Sequence, residues 1–358
     1  MPDAAVFNKV NEPLTVEDIY VDDPGPYEVL VKTMATGVCH SDLHFVEGLY
    51  TMATPAVMGH EGAGIVEKVG DLVQDVAPGD HVILCLSVYC GRCRHCITGH
   101  PARCQTKPMR GENEAPRISW NGEPLVQMAN LATYAEKMLV HENSVVKIRE
   151  DMPFEGAALI GCGVTTGVGA ALNTAKVEPG STVAVFGAGG VGLGVIQGAR
   201  LAGALRVIAV DISENKLKTA MDLGATDIVD ASDNDPVEAI INLTDGGADY
   251  TFEAIGLKDT AEACWHALGT GGTATLIGMI PEGTNIEIPT TGMRERKIQG
   301  CSMGSNRFKV DMPRYVEFYR QGRLLLDEMV TRRLELTDIN EAFRAMKAGE
   351  VARSVIMF

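Results

Sequence analysis

The stretch "CGRCRHCITGHPARC" sets Cys90, Cys93, Cys96 and Cys104 at the spacing C-x2-C-x2-C-x7-C. Four thiolates at these separations can close a tetrahedron around Zn²⁺, with Gly91 and Gly99 easing the turns. A closed four-cysteine shell leaves no position for water or substrate, so such a zinc holds a loop that lacks a core of its own. An iron–sulfur cluster is the competing occupant, but the last gap is wide and no Cys-Pro pair is present. His95 and His100, inside the loop, read as solvent-facing. Metal-assisted chemistry must therefore come from elsewhere. Cys39 in "GVCHSDLH", His60 in "GHEGAG" and Cys162 in "GCGVTTG" are suitable residue types. No local spacing joins them, and each taken singly reads as a core residue.

A second chemistry lies in "STVAVFGAGGVGLGVIQGARLAG", where Gly187, Gly189 and Gly192 form G-x-G-x-x-G. The pattern is weak alone and gains meaning here because it follows an apolar strand and opens a helix. The first glycine makes the turn, the second admits a pyrophosphate, and the third lets helix and strand pack closely. Backbone N–H groups at the helix start then face the phosphates. Asp211, nineteen residues beyond Gly192, ends the next strand, where a carboxylate accepts ribose hydroxyls and repels a 2′-phosphate. NAD is expected over NADP.

The elements that must position these residues fall into two styles. The first 150 residues are β-rich: "EVLVKTMATGV" and "GAGIVEKVG" have strand character, and Asn121-Gly122 signals a hairpin turn. From about Ser181, six apolar strands ("TVAVF", "RVIAV", "DIV", "DYTFEAI", "TATLIG", "KIQGCS") alternate with helical segments. That alternation predicts a doubly wound parallel sheet in an α/β fold. Beyond Cys301, amphipathic stretches lead to a last strand, "SVIMF". A chain of 358 residues suits two domains. Its net charge of −16 argues against a broad nucleic-acid surface. No secretory signal is visible at the start, and no apolar stretch reaches the roughly 20 residues of a membrane span. A cytoplasmic protein with reduced thiols, no membrane partner and no nucleic-acid partner is expected.

The order of "GVCHSDLH", "GHEGAGIVEKVG", the four-cysteine lobe, "GCGVTTG" and "GAGGVG…VDI" resembles the zinc-dependent medium-chain alcohol dehydrogenases through nearly the whole chain. The resemblance implies a GroES-like catalytic domain over 1–163, including the lobe 90–104. It implies an inserted six-stranded Rossmann domain over 164–301 and a return to the catalytic domain over 302–358. It implies two zinc ions per chain and NAD, acting on a small-molecule alcohol or aldehyde, in a homodimer or homotetramer. Cys39, His60 and Cys162 would bind the catalytic zinc and Cys90, Cys93, Cys96 and Cys104 the structural one. Asp42 would orient His60, Glu61 would stand behind the metal, and Ser41 and His44 would relay the substrate proton. Thr166 and Val191 match nicotinamide positions, Lys216 an adenosine-ribose contact and Arg353 a pyrophosphate contact. His40 stands where many relatives carry Arg beside the phosphates.

The implied reaction is transfer of hydride from an alcohol to NAD⁺. Leu86 and Tyr50, suggested by the resemblance as pocket walls, point to a hydrophobic or aromatic primary alcohol. A glutathione- or other thiol-dependent formaldehyde dehydrogenase is the alternative. Against it, Tyr50 replaces that subgroup's Asp, and Pro108 lies near its anion-binding Arg. A non-catalytic NAD-binding structural or sensor protein would often lose a ligand or relay residue, and this chain keeps them all.

Overall fold

The computed structural model describes every residue except Glu112 and Arg294. Two compact units emerge, 1–162 with 307–358, and 163–306. In the first, the strand Glu28–Gly37 is the hub of a seven-stranded sheet. Its Val, Leu and Thr side chains are mostly buried, as expected of a β-branched run covered on both faces. It pairs antiparallel with Glu61–Val69, with Lys137–His141 over residues 28–32, and with Ser354–Met357 over residues 35–37. The last strand thus completes the sheet begun by the first 150 residues, which makes the C-terminal tail part of this unit. A four-stranded and a three-stranded sheet flank it. In the latter, Asn121 and Gly122 both adopt positive φ between Ile118–Trp120 and Glu123–Pro124, the hairpin turn the sequence announces.

The second unit carries six parallel strands: Thr182–Phe186, Arg206–Asp211, Asp227–Asp230, Ala248–Glu253, Leu268–Leu276 and Lys297–Gly300. In order along the chain they occupy the sheet as 3-2-1-4-5-6. The order reverses between the first and fourth, and a doubly wound sheet takes ligands in the crevice outside the carboxyl ends at that point. Trp265, Phe186, Ile208 and Leu268 pack the core of this unit.

Two expectations need correction. Residues 302–306 belong to the second unit, because the turn Met303–Ser305 presses its Gly304 backbone against Thr165 and Gly169. Gly304 has φ +63, and an added Cβ would lie 2.3 Å from the Thr165 carbonyl. The return segment begins at Arg307. The second correction concerns the helical run Phe154–Ala175, which is long and apolar enough to cross a membrane. Its most apolar window is 89% buried inside the protein, as suits a core helix. Small residues hid it: Gly, Ala and Thr lower the apparent apolarity while allowing close packing.

Candidate functional site

The site starts from register. Gly37 pairs with Glu61 across two neighbouring strands, so Cys39, just past the end of one, comes beside His60, just before the other. Cys39 caps the helix His40–Val46 in extended conformation, and its side chain is buried. Gly59, at φ +90, gives His60 its entry: an added Cβ would lie 2.5 Å from the Tyr134 ring and 2.6 Å from the Thr133 hydroxyl. Cys162 arrives on a π-helical turn, Ile160–Val164, inside the long helix. Such wide turns often occur at functional sites. Among the described residues, ligand atoms of Cys39, His60, Glu61 and Cys162 lie within 4.8 Å of one another, all buried.

The chemistry of this set fits a cation. The Cys39 thiol is drawn well down, first by the hydrogen bond from Cys162 and then by the His60 charge, against the opposing effect of burial. Cys162 is pushed well up by donating that bond and by burial. Two buried sulfurs sharing one proton would instead both ionise around Zn²⁺. Burial alone would lower the His60 imidazole, but the Asp42 and Cys39 charges outweigh it and hold it well above its ordinary value. Burial pushes the Glu61 carboxyl up to about 7 despite Arg353, whose guanidinium pairs with Oε2. Glu61 Oε1 has no hydrogen-bond partner among the described residues.

Asp42, fully buried, holds the histidine. Its Oδ1 accepts from His60 Nδ1 at 3.2 Å and from the Gly59 N–H at 3.1 Å, so that in the neutral ring Nε2 carries the lone pair. Its Oδ2 accepts the Tyr134 hydroxyl at 2.8 Å. Tyr134 is absent from the sequence-based set because nothing local marks "NLATYAEKM". Removing that hydroxyl leaves a buried carboxylate oxygen bare. Tyr134→Phe is expected to weaken zinc retention by roughly tenfold to a hundredfold, read as the rate of release to a colorimetric chelator. Wild-type release would exclude Tyr134 from the support of His60.

Ser41 Oγ lies 3.7 Å from Cys39 Sγ, on the helix that also bears His40 and His44. Ser41 and His44 are three residues apart and share a helix face. His44 stacks on Tyr50 with ring centroids 6.2 Å apart, and its Nδ1 is buried without a partner among the described residues. His40 is exposed. Arg353, expected on the cofactor, has its guanidinium on Glu61 in the first unit.

The four-cysteine lobe is compact. Sulfur separations of 3.5 Å (Cys93–Cys96), 3.9 Å (Cys93–Cys104) and 4.0 Å (Cys90–Cys96) are recorded, and all four cysteines are free thiols. A tetrahedron with Zn–S near 2.3 Å has edges of about 3.8 Å, which these match. Backbone N–H groups, led by that of Arg92, draw Cys90 down to about 6. The helix Arg94–Ile97 within the lobe buries none of its residues, so little but the sulfurs holds the loop.

In the second unit the three glycines behave differently. Gly187 turns at φ +96. At Gly189, which caps the helix Gly190–Ala202, an added Cβ meets nothing within 4 Å among the described residues, leaving space above the helix start. At Gly192 the Cβ would sit 1.7 Å from the Gly187 carbonyl, so helix and turn touch there. Asp211 takes the Ala188 N–H on Oδ2 at 2.8 Å and the Ser213 N–H on Oδ1 at 3.0 Å. Its carboxylate is thereby fastened to the loop. Val191 lies in the first turn of this helix, and Gly167 abuts its carbonyl, which brings Thr166 into the same neighbourhood. The Thr166 hydroxyl donates to Met303 sulfur at 3.3 Å. Lys216, half-buried, follows Asp211 in the helix Glu214–Asp222.

A glycine-cradled α/β crevice and a buried thiolate–imidazole set define a zinc- and dinucleotide-dependent oxidoreductase. The alcohol dehydrogenase GroES-like domain model matches residues 25–150, and the zinc-binding dehydrogenase model matches 190–319. An alcohol dehydrogenase class-3 from Drosophila melanogaster is 42% identical, over 99% of this chain and 97% of its own length. An alcohol dehydrogenase zinc-binding domain protein from Burkholderia ambifaria has a TM-score of 0.94 at 35% identity, covering 100% of this chain and 98% of its own. The benzyl alcohol dehydrogenase of Acinetobacter calcoaceticus has a TM-score of 0.94 at 33% identity, covering 100% and 99%. The chain belongs to the zinc-dependent medium-chain alcohol dehydrogenases and is an NAD-linked oxidoreductase.

Proposed function

We propose that this chain oxidises hydrophobic, preferably aromatic, primary alcohols to aldehydes, with Cys39, His60 and Cys162 as ligands of a catalytic zinc. Cys90, Cys93, Cys96 and Cys104 hold a second, structural zinc. The observation that carries the reading is the buried cluster of Cys39, His60, Glu61 and Cys162. When bound, zinc supplies a Lewis acid that makes the alcohol proton easier to remove, and NAD⁺ supplies the hydride acceptor. The chain's own groups do the rest. Asp42 fixes the His60 ring, Glu61 with Arg353 backs the cluster, and Ser41 Oγ accepts the departing proton. His44 then carries that proton outward, with the cofactor ribose between it and Ser41. Gly187, Gly189 and Gly192 shape the dinucleotide cradle, Asp211 and Lys216 hold its adenosine ribose, and Thr166 and Val191 flank the nicotinamide. His40 stands where many relatives carry a phosphate-binding arginine. The protein works in the cytoplasm as a homodimer or homotetramer, which light scattering of the purified enzyme would test.

Two features favour an apolar alcohol over a thiol adduct. Tyr50 lies against His44 where a carboxylate would favour polar substrates. The arginine nearest Pro108, Arg110, is consumed by Glu28, Asp22 and two backbone carbonyls, so it offers nothing to a substrate anion. A panel of aliphatic and aromatic alcohols with NAD⁺, run beside formaldehyde with glutathione, tests this. Highest kcat/KM on the glutathione adduct would overturn the substrate assignment.

For the relay, His44→Gln should keep both zinc ions and lower alcohol oxidation below about pH 7, by roughly tenfold to a hundredfold. Above that pH, direct release to solvent replaces the base, and an imidazole buffer should restore part of the loss. A wild-type pH–rate profile would remove His44 from the path.

A further inference from the structure

Glu253 ends the fourth strand of the parallel sheet with a fully buried side chain. Its Oε1 accepts three hydrogen bonds: the Ile255 N–H at 2.9 Å, the Gly256 N–H at 2.7 Å and the Thr260 hydroxyl at 2.8 Å. Its Oε2 has no partner among the described residues. A buried carboxylate with one bare oxygen is destabilising on its own account, so its presence calls for another reason.

The surroundings supply one. The Glu253 backbone carbonyl accepts the N–H groups of Ile277 and Gly278, at 2.9 and 3.1 Å, tying down the exit of the next strand. At Gly278 an added Cβ would lie 2.2 Å from Gly256 N and 2.5 Å from Glu253 Oε2. Gly256 itself has φ +98, with its Cβ position 2.7 Å from the Met279 carbonyl. On the other side, the Gly187 Cβ position is 2.6 Å from the Ile255 side chain, and the Ala254 N–H donates to Phe186 O at 2.9 Å. The exits of the first, fourth and fifth strands are therefore in backbone contact at Glu253 and Ala254, with the carboxylate fixing the turn that follows. They lie at the carboxyl ends, beside the reversal point where such a sheet receives its dinucleotide.

We propose that Glu253 is a positioning residue for NAD(H). It fixes the Ile255–Gly256 turn and Gly278 as a rigid shelf beside the glycine loop, so that the cofactor meets a preformed surface. An apolar residue would relieve the bare oxygen and would leave the shelf N–H groups without their acceptor.

The test uses the zinc-loaded enzyme and NADH fluorescence. Glu253→Ala should raise the Kd for NADH and the KM for NAD⁺ by about tenfold, the loss expected when a shared acceptor is removed. Zinc content and kcat at saturating NAD⁺ should stay near wild type, a split that a general loss of stability would not produce. Glu253→Gln keeps a carbonyl oxygen for the three donors and should restore most of the affinity. Thr260→Val removes one donor and should weaken binding by about threefold, providing a test should the alanine variant fail to fold. Wild-type NADH affinity in a folded Glu253→Ala, or in Thr260→Val, would overturn the proposal. So would Glu253→Gln binding as weakly as the alanine variant.

Discussion

Cys162→Ala is expected to lose about one of two zinc ions per chain, and to lower kcat/KM for alcohols by roughly a thousandfold or more. Lewis-acid assistance contributes several kcal/mol, and each 1.4 kcal/mol or so is a factor of ten in rate. The magnitude follows from how little else holds that ion. Without Cys162, only Cys39 and His60 remain of the proposed ligands, with Glu61 drawn toward Arg353. The fold should survive, since Cys162 lies on a buried helix whose other contacts are unaffected. Cys93→Ala should behave in the opposite way. The lobe around Cys90–Cys104 has almost no buried side chains besides its sulfurs, so losing one ligand should loosen the loop and lower the melting temperature. Elemental analysis with thermal melts separates the two. Wild-type enzyme carrying a single zinc after saturation would refute the two-site assignment.

Local and distant features differ in how readily the sequence discloses them. The six strands of the second unit, the glycine turn and the Asn121-Gly122 hairpin are all encoded within a few residues, by β-branched runs or by positions that need positive φ. The four cysteines are legible for the same reason, since their spacing is itself the geometry. Cys39, His60 and Cys162 are different. Only the pairing of Gly37 with Glu61 and the π-helical turn at Cys162 bring them together, and neither is visible as a spacing. In the sequence, only the resemblance of whole segments to a family singles these three out. Tyr134 and the Arg353–Glu61 pair lay beyond both, because their partners are 92 and 292 residues away. Glu253, in "DYTFEAIG", likewise carries no local mark of its role.

NAD⁺ should exceed NADP⁺ in kcat/KM by roughly a hundredfold or more, and Asp211 should account for most of the difference. Two unit charges 4 Å apart interact by about 4 kcal/mol at an effective dielectric of 20, above the 2.7 kcal/mol or so that a hundredfold requires. Flexible carboxylates evade such repulsion by turning away. This one is held on both oxygens, by Ala188 N–H at 2.8 Å and Ser213 N–H at 3.0 Å, and is largely buried. Turning would break both bonds and leave the glycine loop unsupported. The remaining lone pairs stay available to ribose hydroxyls, since an ionised carboxylate offers about four acceptor sites. Asp211→Asn keeps an acceptor for one backbone N–H and removes the charge. It should narrow the preference by about tenfold, chiefly through a gain with NADP⁺, because repulsion disappears while the ribose contact is only weakened. Asp211→Ala should narrow it further at the expense of NAD⁺ affinity, since both N–H groups lose their partner. Steady-state kinetics with each cofactor at saturating alcohol decide the matter. Equal kcat/KM for the two cofactors in the wild type, or an unchanged ratio in Asp211→Asn, would show that discrimination does not reside at this carboxylate.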